Sequence, residues 1–109
     1  MTQVLINGSQ GKLQGFYKHS ENSENIGLVL HPRKCTENSM NNNIVSSLFE
    51  SFSKNNFSTL KINFRGVEKS EGKPEEDGLG ELSDAATALD WLQGQNQDTN
   101  SCLIGGIDF

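Results

Sequence analysis

Apolar positions along the chain fall into seven clusters with differing periods. Gln3 to Ile6 and Leu13 to Tyr17 are short strand-like runs. The Gly8-Ser9-Gln10-Gly11 segment between them has glycines that permit positive φ, which predicts an antiparallel hairpin. After the polar stretch His19 to Asn25, the continuous run Ile26-Gly27-Leu28-Val29-Leu30 stops at His31-Pro32, as expected of a strand buried on both faces. Between Met40 and Lys54, Ile44, Val45, Leu48, Phe49 and Phe52 recur at helical spacing, and Asn55-Asn56 closes the segment. Ser58 to Phe64 alternates with period two up to Arg65-Gly66, which predicts a strand followed by an irregular, charged stretch to about Leu79. Leu82, Ala85, Ala86, Leu89 and Leu92 then lie on one stripe of a helix over Gly80 to Gln93, with Gly94 placed to end it. Cys102 to Ile107 is apolar again and reads as a last strand.

The resulting order, β-β-β-α-β-α-β, puts helices between the later strands. Such crossovers demand parallel pairing and right-handed connections, so the predicted fold is a three-layer α/β sheet, mostly parallel after the first hairpin. At 109 residues there is room for one domain, with 68–77 a solvated loop inside it. A hydrophobic fraction of 33% predicts a thin core. Because ordering the chain costs about 1.5 kcal/mol per residue, marginal stability is expected.

Charge and composition remove several function classes. A net charge of -5, with no basic cluster longer than Arg33-Lys34, argues against nucleic acid and against a basic membrane-surface helix. No run approaches the ~20 apolar residues of a membrane span and the N-terminus lacks a signal-peptide pattern, so a cytoplasmic location is expected. Two cysteines, Cys35 and Cys102, give no disulfide framework and read as reduced thiols. His19, His31 and Cys35 lack a fourth ligand at zinc spacing, and Glu71, Glu75, Glu76 and Asp77 lack the pattern of a calcium loop. Gly66 to Lys73 fails as a phosphate loop because five residues separate its glycines and Pro74 stands where a hydroxyl is needed. No metal or cofactor is predicted.

In open α/β sheets, ligands and catalytic groups sit just beyond the carboxyl ends of the strands. Here those ends carry His31-Pro32, Arg65-Gly66 and Gly106-Ile107-Asp108-Phe109. The runs LVLHP (28–32), MNN (40–42), NFRGV (63–67), SEG (70–72), GELSDA (80–85) and ALDWL (88–92) resemble, in order and spacing, the small α/β-hydrolase-fold proteins of the esterase or dienelactone-hydrolase-like type. The resemblance covers nearly the whole chain. It implies a serine hydrolase whose nucleophile sits on a GxSxG elbow after the fifth strand.

The chain departs from that pattern in its chemistry. Asp108 stands where the nucleophilic serine is expected, so residues 1–109 read as a single partial domain ending at the elbow. In the family, the acidic member and the histidine of the triad follow the nucleophile, beyond the matching region. An aspartate nucleophile, as in epoxide hydrolases and haloalkane dehalogenases, needs that histidine to activate water, so no catalytic residue is expected here. In the loop after the third strand, Glu37-Asn38 replaces the glycine pair that would approach an oxyanion, although His31, Pro32 and Met40-Asn41-Asn42 keep the family's spacing. Glu68 likewise replaces a glycine. His31 lies upstream of the elbow, does not match the catalytic histidine, and is expected to serve a structural turn.

The expected function is therefore that of an N-terminal fragment of an α/β-hydrolase-superfamily protein of ancestral serine-hydrolase type, inactive alone. Twelve asparagines, twelve serines and seven lysines to two arginines suggest an AT-rich coding sequence under relaxed drift, consistent with a pseudogene product. Two alternatives stand beside it. One is half of a split hydrolase completed by a second, C-terminal chain; the other is a non-catalytic interaction module. In the latter, the exposed last strand would add to a partner sheet or self-associate.

Overall fold

The apolar run that predicts a doubly buried strand becomes β3 (Asn25–Leu30), flanked on both sides by parallel neighbours, β4 (Phe57–Ile62) and β5 (Ser101–Gly106). The computed structural model describes residues 2–21, 24–31, 40, 43–73, 78–97 and 101–106. The remaining elements are β1 (Thr2–Gly8), β2 (Gly11–Lys18), α1 (Asn43–Lys54) and α2 (Leu79–Gln95). The sheet order is β1-β2-β4-β3-β5. β1 and β2 form the expected hairpin, with Gly8 opposite Gly11, and β2 runs antiparallel to β4.

Alternate side chains of the central strands feed two cores. Ile26, Leu28, Leu30, Leu60 and Ile62 pack with Ala88 and Leu92 of α2 on one face. On the other, Val29 packs with Met40 and with Val45 and Phe49 of α1. α1 lies very close to the sheet at Gly27, where a Cβ would stand 2.6 Å from the Phe52 ring. This is the three-layer α/β arrangement expected from the order of periods.

Three local expectations need correction. The period-two pattern of β4 suggests one wet face, yet Ser58, Thr59, Leu60, Lys61 and Ile62 are all buried. β4 lies inside the sheet between β2 and β3, and the two helices cover its faces, so its polar side chains are enclosed with the apolar ones. Gly94 does not end α2, which runs on to Gln95. Asn96 ends it instead, donating its N–H to the Gln93 carbonyl (3.1 Å) and its side-chain amide to the Leu92 carbonyl (2.9 Å).

The third correction concerns the buried stripe of α2, which is rotated from the predicted one. Gly80, Glu81, Asp84, Ala88 and Leu92 are buried, while Leu82 and Ala86 are exposed. An ion pair from Arg65 to Asp84 holds that face against the sheet. In the segment after β4, Glu68, Lys69, Glu71, Gly72 and Lys73 are exposed, as expected of a solvated loop, and Ser70 anchors it. Glu71 N–H donates to the Lys12 carbonyl (2.8 Å) and Ser70 is buried, so 63–72 folds back on the start of β2.

Candidate functional site

The carboxyl ends of β3 and β4 carry a buried polar cluster in place of an open cleft. His31, only 2% exposed, receives the Phe64 N–H at Nε2 (3.0 Å) and meets the Phe64 ring edge-on at 4.8 Å. A ring nitrogen that accepts from a main-chain amide has its lone pair committed, so Nε2 is not placed to take a proton from a nucleophile. Asn63, one residue past β4, links three segments. Its Oδ1 accepts the Met40 N–H (2.7 Å), and its Nδ2 donates to Gln14 Oε1 (2.9 Å) and Glu68 Oε2 (3.1 Å). His31 and Met40 are thus both tied to the segment that follows β4.

Arg65 turns the chain out of β4. Its N–H donates to Asp84 Oδ2 (2.9 Å), its Nε lies 3.1 Å from Oδ2 and 3.2 Å from Oδ1, and its Nη2 reaches Oδ1 at 2.8 Å. Nη2 also donates to Ser9 Oγ (3.2 Å), so one guanidinium joins β4, the first hairpin turn and α2. Both charged side chains are buried, at 3% and 2% exposure. Gly66 follows at φ 76°, and its N–H donates to the Glu71 carbonyl (3.3 Å). Glu68 also takes positive φ, 48°, the left-handed region in which a glycine is most easily accommodated. Ser70 Oγ closes the loop by donating to the Asn63 carbonyl (2.7 Å) and accepting the Gln14 N–H (2.8 Å).

Of the positions singled out from the sequence, the structure brings His31, Arg65 and Gly66 to one end of the sheet. Each is engaged in packing or turn contacts. Pro32, Glu37, Asn38 and Asp108 lie outside the described residues, as do Cys35 and the acidic run from Glu75 to Asp77. Sequence reasoning missed Asp84, Asn63, Gln14 and Ser70, which hold this end together. The NFRGV, SEG and GELSDA runs contain three of them, but nothing in their periodicity marks a polar residue as buried.

Beyond this cluster β5 is the outermost described strand on its side of the sheet. Among the described residues β5 pairs with β3 alone, and its Leu103 and Ile104 are 50% and 57% exposed. Superposed on solved structures, this architecture matches a candidate α/β hydrolase of unknown function from Agrobacterium tumefaciens at a TM-score of 0.92 and 43% identity. The match covers 96% of this chain and 48% of that one. The chain carries the N-terminal half of an α/β-hydrolase fold.

The same half-coverage recurs with an α/β serine hydrolase homologue from Coxiella burnetii, at 28% identity and a TM-score of 0.86, spanning 95% of this chain and 50% of the other. A lidless α/β serine hydrolase from Xanthomonas campestris, 23% identical with a TM-score of 0.85, shares the fold over 95% of this chain and 49% of its own. Among curated proteins, an uncharacterized protein of Rickettsia prowazekii is 43% identical over 110 residues, all of this chain and 46% of that protein. The chain thus spans about half the length of the relatives it matches. No protein-family model matches it.

Proposed function

We propose that these 109 residues are a scaffold half of serine-esterase ancestry, and that a polypeptide of this length does not hydrolyse esters by itself. The observation that carries this reading is the open edge of β5, where Leu103 and Ile104 face solvent on a strand with one described partner. In a sheet that continued past β5, both residues would be covered. Leu79 and Leu82 on α2 are exposed in the same way. The polar groups at the strand ends support the reading from the chemical side. His31, Asn63, Arg65 and Asp84 are bonded to one another's segments and hold the turns, whereas acyl transfer needs a nucleophile within reach of a base.

The same edge favours a second reading, in which a separate chain supplies the rest of the sheet and the histidine. An exposed apolar strand edge is a template for pairing. Hydrolysis of p-nitrophenyl acetate separates the two. The purified chain, in its natural form and as Asp108→Ser, is expected to match a heat-treated control. Saturable, inhibitor-sensitive turnover by the unmixed 109-residue chain would overturn the proposal. Turnover that emerges only on mixing with a polypeptide carrying the C-terminal half of a relative would establish the split reading.

A further inference from the structure

A groove of about 650 Å³ lies between α1 and the β2–β4 part of the sheet, far from the open β5 edge. One wall is a single face of α1, formed by Ser46, Phe49, Glu50, Ser53 and Lys54; Lys18 and Lys61 form the other. Its size falls within the range of small-molecule pockets, roughly 300–1,000 Å³.

The lining is electrically unbalanced. Three lysines face one carboxylate, Glu50, in a chain whose net charge is -5. Lys61 is 6% exposed, and its ammonium lies over the rings of Phe16 (5.7 Å) and Phe49 (5.1 Å). No described residue forms an ion pair with it within 4 Å. Burial lowers its pKa from the ordinary 10.5, and the Glu50 charge offsets this only in part. A nearly buried cation that makes no ion pair within 4 Å among the described residues is costly unless an anion occupies the groove beside it.

We propose that this groove binds a small phosphomonoester. The dianionic head would sit among Lys18, Lys54 and Lys61, and the organic body would lie along the Phe49 side of the groove. A dianion cancels the net excess of two positive charges on the lining, whereas a monocarboxylate leaves one uncompensated. Lysines act on phosphate as point charges and need no bidentate geometry, which suits three lysines that line the groove from different elements. Because β5 lies at the opposite edge of the sheet, occupancy here is independent of anything that pairs there.

Phenyl phosphate, inorganic phosphate and benzoate titrated against the 109-residue chain by calorimetry test the proposal. Saturable binding of phenyl phosphate is expected, tighter than either of the others, and about tenfold weaker in Lys61→Met, as expected for losing one charge-assisted hydrogen bond. No saturation, equal affinity in Lys61→Met, or benzoate binding as tightly as phenyl phosphate would each overturn it. A second readout needs no substitution. After reductive 13C-methylation, which keeps the lysine charge, the Lys61 methyl resonance should titrate at higher pH once phenyl phosphate is added. An unmoved midpoint contradicts the proposal.

Discussion

Replacing Asp84 by asparagine should be among the most damaging single changes in the chain. The carboxylate receives the Arg65 N–H, Nε and Nη2 at 2.8 to 3.2 Å, with both side chains nearly excluded from water. Removing its charge leaves a guanidinium uncompensated in the interior, and breaking one side of such a buried pair costs about 3–5 kcal/mol. Asparagine keeps the shape and one acceptor oxygen, so the low end, about 3 kcal/mol, is expected. Against a typical domain stability of about 5–15 kcal/mol, that is a large fraction. Removing both charges is expected to behave differently. Arg65→Met with Asp84→Asn relieves both desolvation costs while the asparagine oxygen still accepts the main-chain N–H of residue 65, and should recover to within about 1 kcal/mol of the natural chain. Urea unfolding at pH 7, followed by the emission of Trp91, measures the cycle. Trp91 lies on α2 and packs edge-on to Tyr17 at 5.1 Å, so it reports on the docking of that helix. A loss below about 1 kcal/mol for Asp84→Asn, or a double variant weaker than both singles, would refute the reasoning.

Gly27→Ala should destabilise by about 1–3 kcal/mol, because its new methyl would stand 2.6 Å from Phe52; Gly94→Ala should stabilise by about 0.5–1 kcal/mol, because nothing lies within 4 Å and the helix gains propensity. Thermal melts of the two variants should therefore move in opposite directions. Lys61→Met should raise stability at neutral pH by removing a buried, unpaired charge. The sign of its pH dependence follows from the lowered pKa. Below that lowered value Lys61 is protonated in both states and burial penalises the folded chain fully. Between it and 10.5 the unfolded chain binds more protons, so the natural chain gains stability as pH rises. The urea midpoints of the two proteins should converge toward pH 10.5, and a gap that widens would contradict this.

Much of the architecture was legible because it depends on period. The uninterrupted run from Ile26 to Leu30 marks the doubly covered strand, and the alternation of strands with helices dictates parallel pairing. What escaped depends on contacts between distant segments. Asp84 is buried because Arg65, 19 residues earlier, captures it, and that contact also sets which face of α2 turns inward. Leu82 fits an apolar stripe by spacing but faces outward. Gly94 reads as a stop signal, while the side chain of Asn96 provides the actual one. Lys61 alternates with Leu60 and Ile62 as a solvent-facing residue would, yet α1 covers that face. The positions that bear on an oxyanion loop and an elbow, Glu37, Asn38 and Asp108, were read from sequence likeness and lie outside the described residues.

Amide hydrogen exchange along Ser101–Gly106 in the monomeric 109-residue chain tests the half-sheet most directly. In a parallel strand bonded on one side only, alternate N–H groups point at the neighbour and the rest point away. The account predicts an alternating record, with the amides bonded to β3 protected and those between them exchanging at rates close to an unstructured peptide. Uniform protection of all six amides in the monomer, equal to that of β3, would mean the edge is already covered and would contradict the account.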